Sequence, residues 1–335
     1  MARLHEASAD RLLTLLLDEA AVAELLNMDD ALVAVADGFS ARGRGAVENL
    51  PRALLRHSTG TIRITAAVDE ERGYHGVKVS SSAVFGSNAG RILTLFETST
   101  GRLCAVVQVF GLGALRTGAV SGLVTDRLAN READCLALIG TGRQARTQLE
   151  AIRRVRSIRR LRLYGRDISR RTAFRAQVDS DIDVVECDSV EDAVRGAHVV
   201  VTATSAIEPV LAGSWLEPGT HVNAIGANDE SRRELDSAVV ARAALVVTDE
   251  PEQAQYEAAD LIRPVAEGLI AWDDIHGVDE LVSGAIPGRQ SPDEITLFES
   301  LGTAIGDVAL AARAYEAAVE RGVGLRLPDL SGQVT

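Results

Sequence analysis

Cys135-Leu-Ala-Leu-Ile-Gly140-Thr-Gly142-Arg-Gln-Ala145-Arg146 is the stretch from which the rest of the chain is read. An apolar run stops at Gly140 and a helix-compatible run starts near Arg143. A buried parallel strand that turns through glycine into a helix has this pattern. Gly140 permits the tight turn, Gly142 leaves room for a pyrophosphate against the backbone, and the small Ala145 lets the helix pack on the strand. Unpaired N–H groups at the helix start then face the phosphates.

Outward from this turn, strand and helix alternate. Strands are expected at 136–139, 160–164, 183–187, 198–203, 221–225 and 245–248, with helices at 143–154, 169–177 and 190–195. That grammar gives a doubly wound parallel sheet. Upstream the pattern is different. A short strand at 12–17 and a helical segment at 18–26 precede a helix capped by Asn27. Its apolar face is Leu32, Val33, Val35, Ala36 and Phe39, and it ends near Gly43. Residues 44–110 read as an antiparallel sheet closed by Gly111-Leu-Gly113, and a helix over 114–128 carries Arg116 and Thr117 at its start. Downstream, Ser291-Pro-Asp-Glu-Ile-Thr-Leu-Phe is expected to cap and start one long helix to about Arg321. Its apolar stripe is Ala304, Ile305, Val308, Ala309 and Ala312, and it is expected to return to the first domain.

The 335 residues are 46% hydrophobic and 25% charged, the composition of an ordinary globular chain with room for two cores. Lys plus Arg is 35 against Asp plus Glu 48, a net charge of -13, which argues against nucleic-acid or anionic-membrane partners. The positive charge is nearly all Arg, suited to planar recognition of carboxylate or phosphate. Cys104, Cys135 and Cys187 are widely spaced in apolar segments and read as reduced thiols, hence a cytoplasmic protein. The six histidines show no ligand spacing, so no metal is expected. The apolar run at 12–17 is too short to span a bilayer.

The second strand of the alternating region ends in Tyr164-Gly165-Arg166-Asp167. An acid there suits the ribose hydroxyls of NAD and an arginine suits a 2′-phosphate; with Arg166 ahead of Asp167, NADP(H) is expected in preference to NAD(H). Thr202-Ala203-Thr204 and Ala224-Ile225-Gly226 end later strands, where ligands sit in open parallel sheets, and these small residues suit a flat ring against backbone. They suit helix packing equally well. In the first domain, Arg52, Lys78 and Arg116 are candidate partners for a substrate carboxylate. Arg116 is expected to point outward from a helix start, and Lys78 has little nearby to pair it. Taken singly, each also has the pattern of a solvated surface charge.

The ordered set, Gly76-Val-Lys78-Val, Thr100-Gly101-Arg102, Leu115-Arg116-Thr117-Gly-Ala119-Val-Ser121, Gly140-Thr-Gly142-Arg-Gln144-Ala145, Asn223-Ala-Ile-Gly226-Ala227 and Ser291-Pro-Asp-Glu-Ile-Thr-Leu-Phe, resembles the ornithine cyclodeaminase/mu-crystallin family over about residues 13–322. That family also holds archaeal-type alanine dehydrogenases and ketimine reductases. The resemblance implies an α/β chain in which a Rossmann doubly wound parallel sheet (125–304) is inserted into a smaller α+β substrate and dimerisation domain (1–124 plus 305–335). It implies a homodimer. It places Arg52, Lys78 and Arg116 on the substrate, and it places Thr117 with Gly140, Thr141, Gly142, Arg143, Gln144 and Ala145 on the cofactor phosphates. It puts Arg166 at the strand end that selects the cofactor.

Where cyclodeaminases carry a catalytic Asp, this chain has Asn228, followed by Asp229. An amide accepts no proton at neutral pH, which disfavours oxidation of an amine and leaves reduction of an iminium open. Asp229 is a candidate replacement. The chain also has Gly113 where many members carry Thr, and Ser80-Ser-Ser-Ala-Val-Phe-Gly lacks the family's Pro and Asn. The expected activity is an NAD(P)H-dependent imine reductase or amino-acid dehydrogenase acting on a small α-imino or α-keto acid. Lys78 would polarise or protonate the reacting group, and Asn228 would bond the nitrogen. A cyclodeaminase acting on ornithine or lysine and a catalytically inactive NADP-dependent binding protein are the alternatives.

Overall fold

The computed structural model describes residues 14–83 and 90–328, the side chains of 82 and 83 excepted. The first two residues of the strand read at 12–17, and residues 84–86 of the serine stretch, lie outside it. The chain divides into two compact units, Met1–Arg116 with Thr303–Thr335 and Thr117–Gly302. These junctions precede the 124/125 and 304/305 boundaries read from the sequence.

In the first unit β1 (Thr14–Leu17), α1 (Glu19–Leu25) and α2 (Met28–Gly43) lead into β2 (Val47–His57), β3 (Gly60–Asp69), β4 (Tyr74–Ala83), β5 (Arg91–Glu97) and β6 (Leu103–Gln108), followed by α3 (Phe110–Leu128), within which the chain passes to the second unit. The second unit runs β7 (Cys135–Ile139), α4 (Arg143–Val155), β8 (Arg160–Tyr164), α5 (Ile168–Arg175), β9 (Asp183–Glu186), α6 (Val190–Val194), β10 (Val199–Thr202), β11 (His221–Ala224), α7 (Ser237–Arg242), β12 (Ala243–Thr248), α8 (Pro251–Glu257), α9 (Ala259–Ala266), β13 (Ile275–Gly277), α10 (Val278–Ser283) and β14 (Ile295–Glu299). The first unit is completed by α11 (Ala304–Arg321) and β15 (Leu325–Leu327).

Among the described residues, the first unit holds a sheet in the order β15-β1-β6-β5-β4-β3-β2, antiparallel from β6 to β2. The second holds β13-β12-β14-β11-β10-β7-β8-β9, parallel throughout. All five residues of β7 are buried, as a strand covered on both faces requires.

Three local expectations need correction. Residues 291–298 do not begin a helix. Ile295–Glu299 is instead β14, buried at every position and paired in parallel with both β11 and β12. Its β-branched and aromatic residues suit a pleated ladder, and a central slot satisfies its backbone on both edges. The helix starts only at Ala304, whose N–H donates to Asn49 Oδ1 from β2 at 3.1 Å. Glu299 ends β14 fully buried, and burial pushes its carboxyl well above the usual range.

The helix read at 114–128 begins four positions earlier in sequence, at Phe110, so the glycine pair does not close the sheet. The Glu19 carboxylate accepts from the Phe110 and Gly111 N–H groups at 2.6 and 2.7 Å and fixes the new start. Arg116 therefore lies inside the helix. The face of α2 is also rotated. Asn27 caps it through the Asp29 and Asp30 N–H groups, but the buried residues are Met28, Ala31, Ala34, Val35, Gly38, Phe39 and Ala41, while Val33 is exposed. Gly38 sits there because a Cβ would lie 3.2 Å from Ile305 Cγ2 on α11.

Candidate active site

In the second unit the glycine turn has the geometry its sequence asks for. Gly140 has φ +119°, and a Cβ there would lie 2.4 Å from the Ala203 carbonyl oxygen. No L-residue fits. Gly142 caps α4, and a Cβ on it would meet nothing within 4 Å, so its outer side is open to a ligand. Ala145 is fully buried and seats α4 on the sheet. A groove of about 420 Å³ opens over this turn. Gly140, Thr141, Gly142, Arg143 and Gln144 form its floor, Arg166, Asp167 and Arg170 one wall, and Ala203 and Thr204 another.

Asp167 is the N-cap of α5, accepting from the Arg170 N–H at 3.1 Å, and its second oxygen lies 3.5 Å from Arg170 Nε. Arg166 is exposed on the same wall. Three arginines against one already engaged carboxylate give this groove a positive lining, and the glycine turn puts α4 backbone N–H groups at its base. Both features fit the phosphates of a dinucleotide.

Thr117, Thr202, Ala224 and Ile225 are not among the residues that line the groove. Thr117 is buried, its carbonyl accepting from Gln148 Nε2 at 3.4 Å. Thr202, Ala224 and Ile225 are buried in their strand ends. A residue that sequence reasoning missed organises them. The buried Glu234 carboxylate accepts from Thr202 Oγ1 at 2.8 Å, the Thr204 N–H at 2.6 Å and the Gly226 N–H at 2.7 Å. It thereby fixes the backbone at the ends of β10 and β11. Burial raises its pKa even so. Asn228 is exposed, and one oxygen of Asp229, Oδ1, accepts from the Ser231 N–H at 3.0 Å and from the Ser231 hydroxyl at 2.5 Å.

In the first unit, Lys78 and Arg116 meet on one carboxylate. Asp307, on α11, is fully buried; Lys78 Nζ donates to its Oδ2, and Arg116 Nε to its Oδ1 at 3.0 Å. This overturns two expectations: Lys78 is paired, and Arg116 is buried rather than pointing outward from a helix end. Arg52 is close enough to act electrostatically on Lys78. Burial pulls the Lys78 ammonium down to about 8 against the opposing pull of Asp307, with Arg116 and Arg52 adding to the lowering. Burial alone would raise the Asp307 carboxyl, but Arg116 and Lys78 hold it below its usual value. Across β3 from Lys78 stands Thr65, whose buried hydroxyl finds no partner among the described residues.

Asp307 carried no motif of its own in the sequence. One compositional signal could have singled out Lys78: it is the only lysine in the chain.

The model of the ornithine cyclodeaminase/mu-crystallin family matches residues 13–322. An alanine dehydrogenase of Archaeoglobus fulgidus is 34% identical over 94% of this chain and 98% of its own length. A Δ1-pyrroline-2-carboxylate reductase of Bacillus cereus is 33% identical over 97% and 92%. The solved Δ1-pyrroline-2-carboxylate reductase of Thermococcus litoralis, in complex with NADH and L-proline, superposes with a TM-score of 0.89 at 32% identity, covering 93% of this chain and all of that one. These relatives are oxidoreductases acting on amino acids or on C=N bonds.

Proposed function

The chain belongs to the ornithine cyclodeaminase/mu-crystallin family, and from there we propose that it is a nicotinamide-dependent reductase converting a small α-imino acid into the amino acid. Δ1-Pyrroline-2-carboxylate is the first substrate to test, because relatives matched over nearly the whole chain reduce it. The observation that carries this reading is the buried set of Lys78 and Arg116 on Asp307, with Arg52 beside it.

Asp307 engages Arg116 through Nε, which leaves the terminal Nη donors for a substrate carboxylate; Arg52 is the second cation for that group. A bound reduced nicotinamide supplies the hydride to carbon. The C=N π bond opens, and Lys78 gives its proton to nitrogen. Asn228 stands where the family's cyclodeaminases carry an Asp and offers no carboxylate there, the feature on which reduction is read ahead of cyclodeamination.

The cofactor reading is NADP(H) in preference to NAD(H). Arg166, Arg143 and Arg170 line the groove, and the one acid on its wall, Asp167, is spent on capping α5. Arg166→Ala is expected to raise KM for NADPH about tenfold, the loss of one charge-assisted contact, with little change for NADH. Equal effects on both cofactors, or a wild-type preference for NADH, would overturn that assignment.

A homodimer completes the reading. On the sheet face carrying Leu55, Ile62, Ile64, Val79 and Ile92, in register across β2 to β5, Leu55 is 57% exposed and Ile92 44%. A second copy is the occupant proposed for this face, since exposed apolar patches of this kind mark association sites. Leu55→Glu is expected to convert a dimeric mass in light scattering to the monomer; a monomeric wild type would contradict the proposal.

A further inference from the structure

We propose that Asp307 is a positioning residue for the reaction, holding Lys78 charged and aimed and turning the fork of Arg116 toward the substrate. The inference rests on the reductase reading for its kinetic arm only.

The geometry is specific. Asp307 spends one oxygen on each cation and is shut off from water. The close approach of α11 to β4 brings it to this place. At Gly76, two residues before Lys78, a Cβ would lie 3.1 Å from Val308 Cγ2, and at Gly306 a Cβ would lie 3.4 Å from Arg116 Cδ. A side chain at Gly76 would press on α11 beside Asp307, while Gly306 lets Arg116 pack against the helix at ordinary contact distance. With one N–H of the ammonium committed to Asp307, two remain for substrate.

The electrostatics follow from that packing. The charged groups acting on Lys78 are Asp307 from α11, Arg116 from α3 and Arg52 from β2; Thr65 of β3 and Leu93 of β5, its cross-strand neighbours, are neutral. Two neighbouring guanidinium groups and burial all favour the free amine. Among the described residues, Asp307 is the group that opposes them. Without that carboxylate the ammonium loses its proton at lower pH, and reduction loses its acid.

Asp307→Asn tests this. The alkaline limb of kcat/KM for imine reduction is expected to fall by about 1 pH unit or more, since an opposite charge in contact shifts a pKa by that much. Acylation of Lys78 by acetic anhydride as a function of pH, read by peptide mass spectrometry, should show the same downward shift. This second arm needs no turnover, and the sole lysine makes the labelled peptide unambiguous. Asp307→Glu keeps the charge but moves it; its labelling profile should stay near wild type while kcat drops about tenfold or more, the cost of misplacing the acid.

Unshifted labelling in Asp307→Asn would overturn the proposal. If that variant does not fold, wild-type kcat in Asp307→Glu would overturn it instead. A shifted labelling profile in a protein with no imine turnover would leave the hold of Asp307 on the Lys78 proton standing and remove the reductase reading together with the kinetic role.

Discussion

Lys78→Arg lowers kcat for imine reduction by about 10³-fold while cofactor affinity stays at the wild-type value. Arginine keeps the charge and cannot give up a proton in a protein, so the substitution removes the acid and little else; positioned acids contribute about 10²–10⁴ in rate. Position 78 is the one place in this chain where a cation is not arginine. That choice makes chemical sense where a proton must move. Burial and the two neighbouring guanidinium groups also bring the Lys78 ammonium to about 8, within reach of proton transfer near neutrality. The measurement is steady-state reduction beside an NADPH fluorescence titration. A variant with more than a tenth of wild-type kcat would mean that the proton comes from elsewhere.

Gly140→Ala is expected to cost about 2–5 kcal/mol of stability and to abolish cofactor binding. A side chain at φ +119° is strained on its own account, and its Cβ would sit 2.4 Å from the Ala203 carbonyl oxygen and 2.9 Å from its carbon. Both obstacles are backbone and cannot rotate away. Gly142→Ala is the matched control. Its Cβ meets nothing in the protein, so the melting temperature should stay near wild type while cofactor binding weakens, because the methyl group occupies the approach to the helix N-terminus. Thermal melts and fluorescence titration of the pair separate the two effects. Equal melting temperatures for Gly140→Ala and wild type would refute the strain argument.

The strand-turn-helix at 135–146 was legible because its apolar run, glycine turn and helix start are consecutive, even though the Ala203 carbonyl that excludes a side chain at Gly140 is distant in sequence. The antiparallel strands of the first unit were legible for the same reason, down to the turn at Gly101, whose φ is +69°. β14 was not. Ser-Pro-Asp-Glu is a helix-start signal, and only the slot between β11 and β12 makes Ile295–Glu299 extended. The start of α3 was hidden in the same way, since Glu19, 91 residues from Phe110, sets it.

In the candidate site, Arg116 and Lys78 could be named from the chain, but not their partner. Asp307 lies 229 residues from Lys78 and 191 from Arg116 and looks like one more acid in a helix. Glu234 was invisible for a related reason: its value lies in accepting two backbone N–H groups from strand ends, which no residue pattern records.

The direct test of the reductase assignment is the fate of the hydride. Δ1-Pyrroline-2-carboxylate incubated with NADPH or NADH deuterated at either face of C4 should yield proline with one deuterium at Cα, from one face only, for each cofactor oxidised. Proline lacking the label at Cα, or cofactor that stays reduced while the pyrroline is bound, would contradict it.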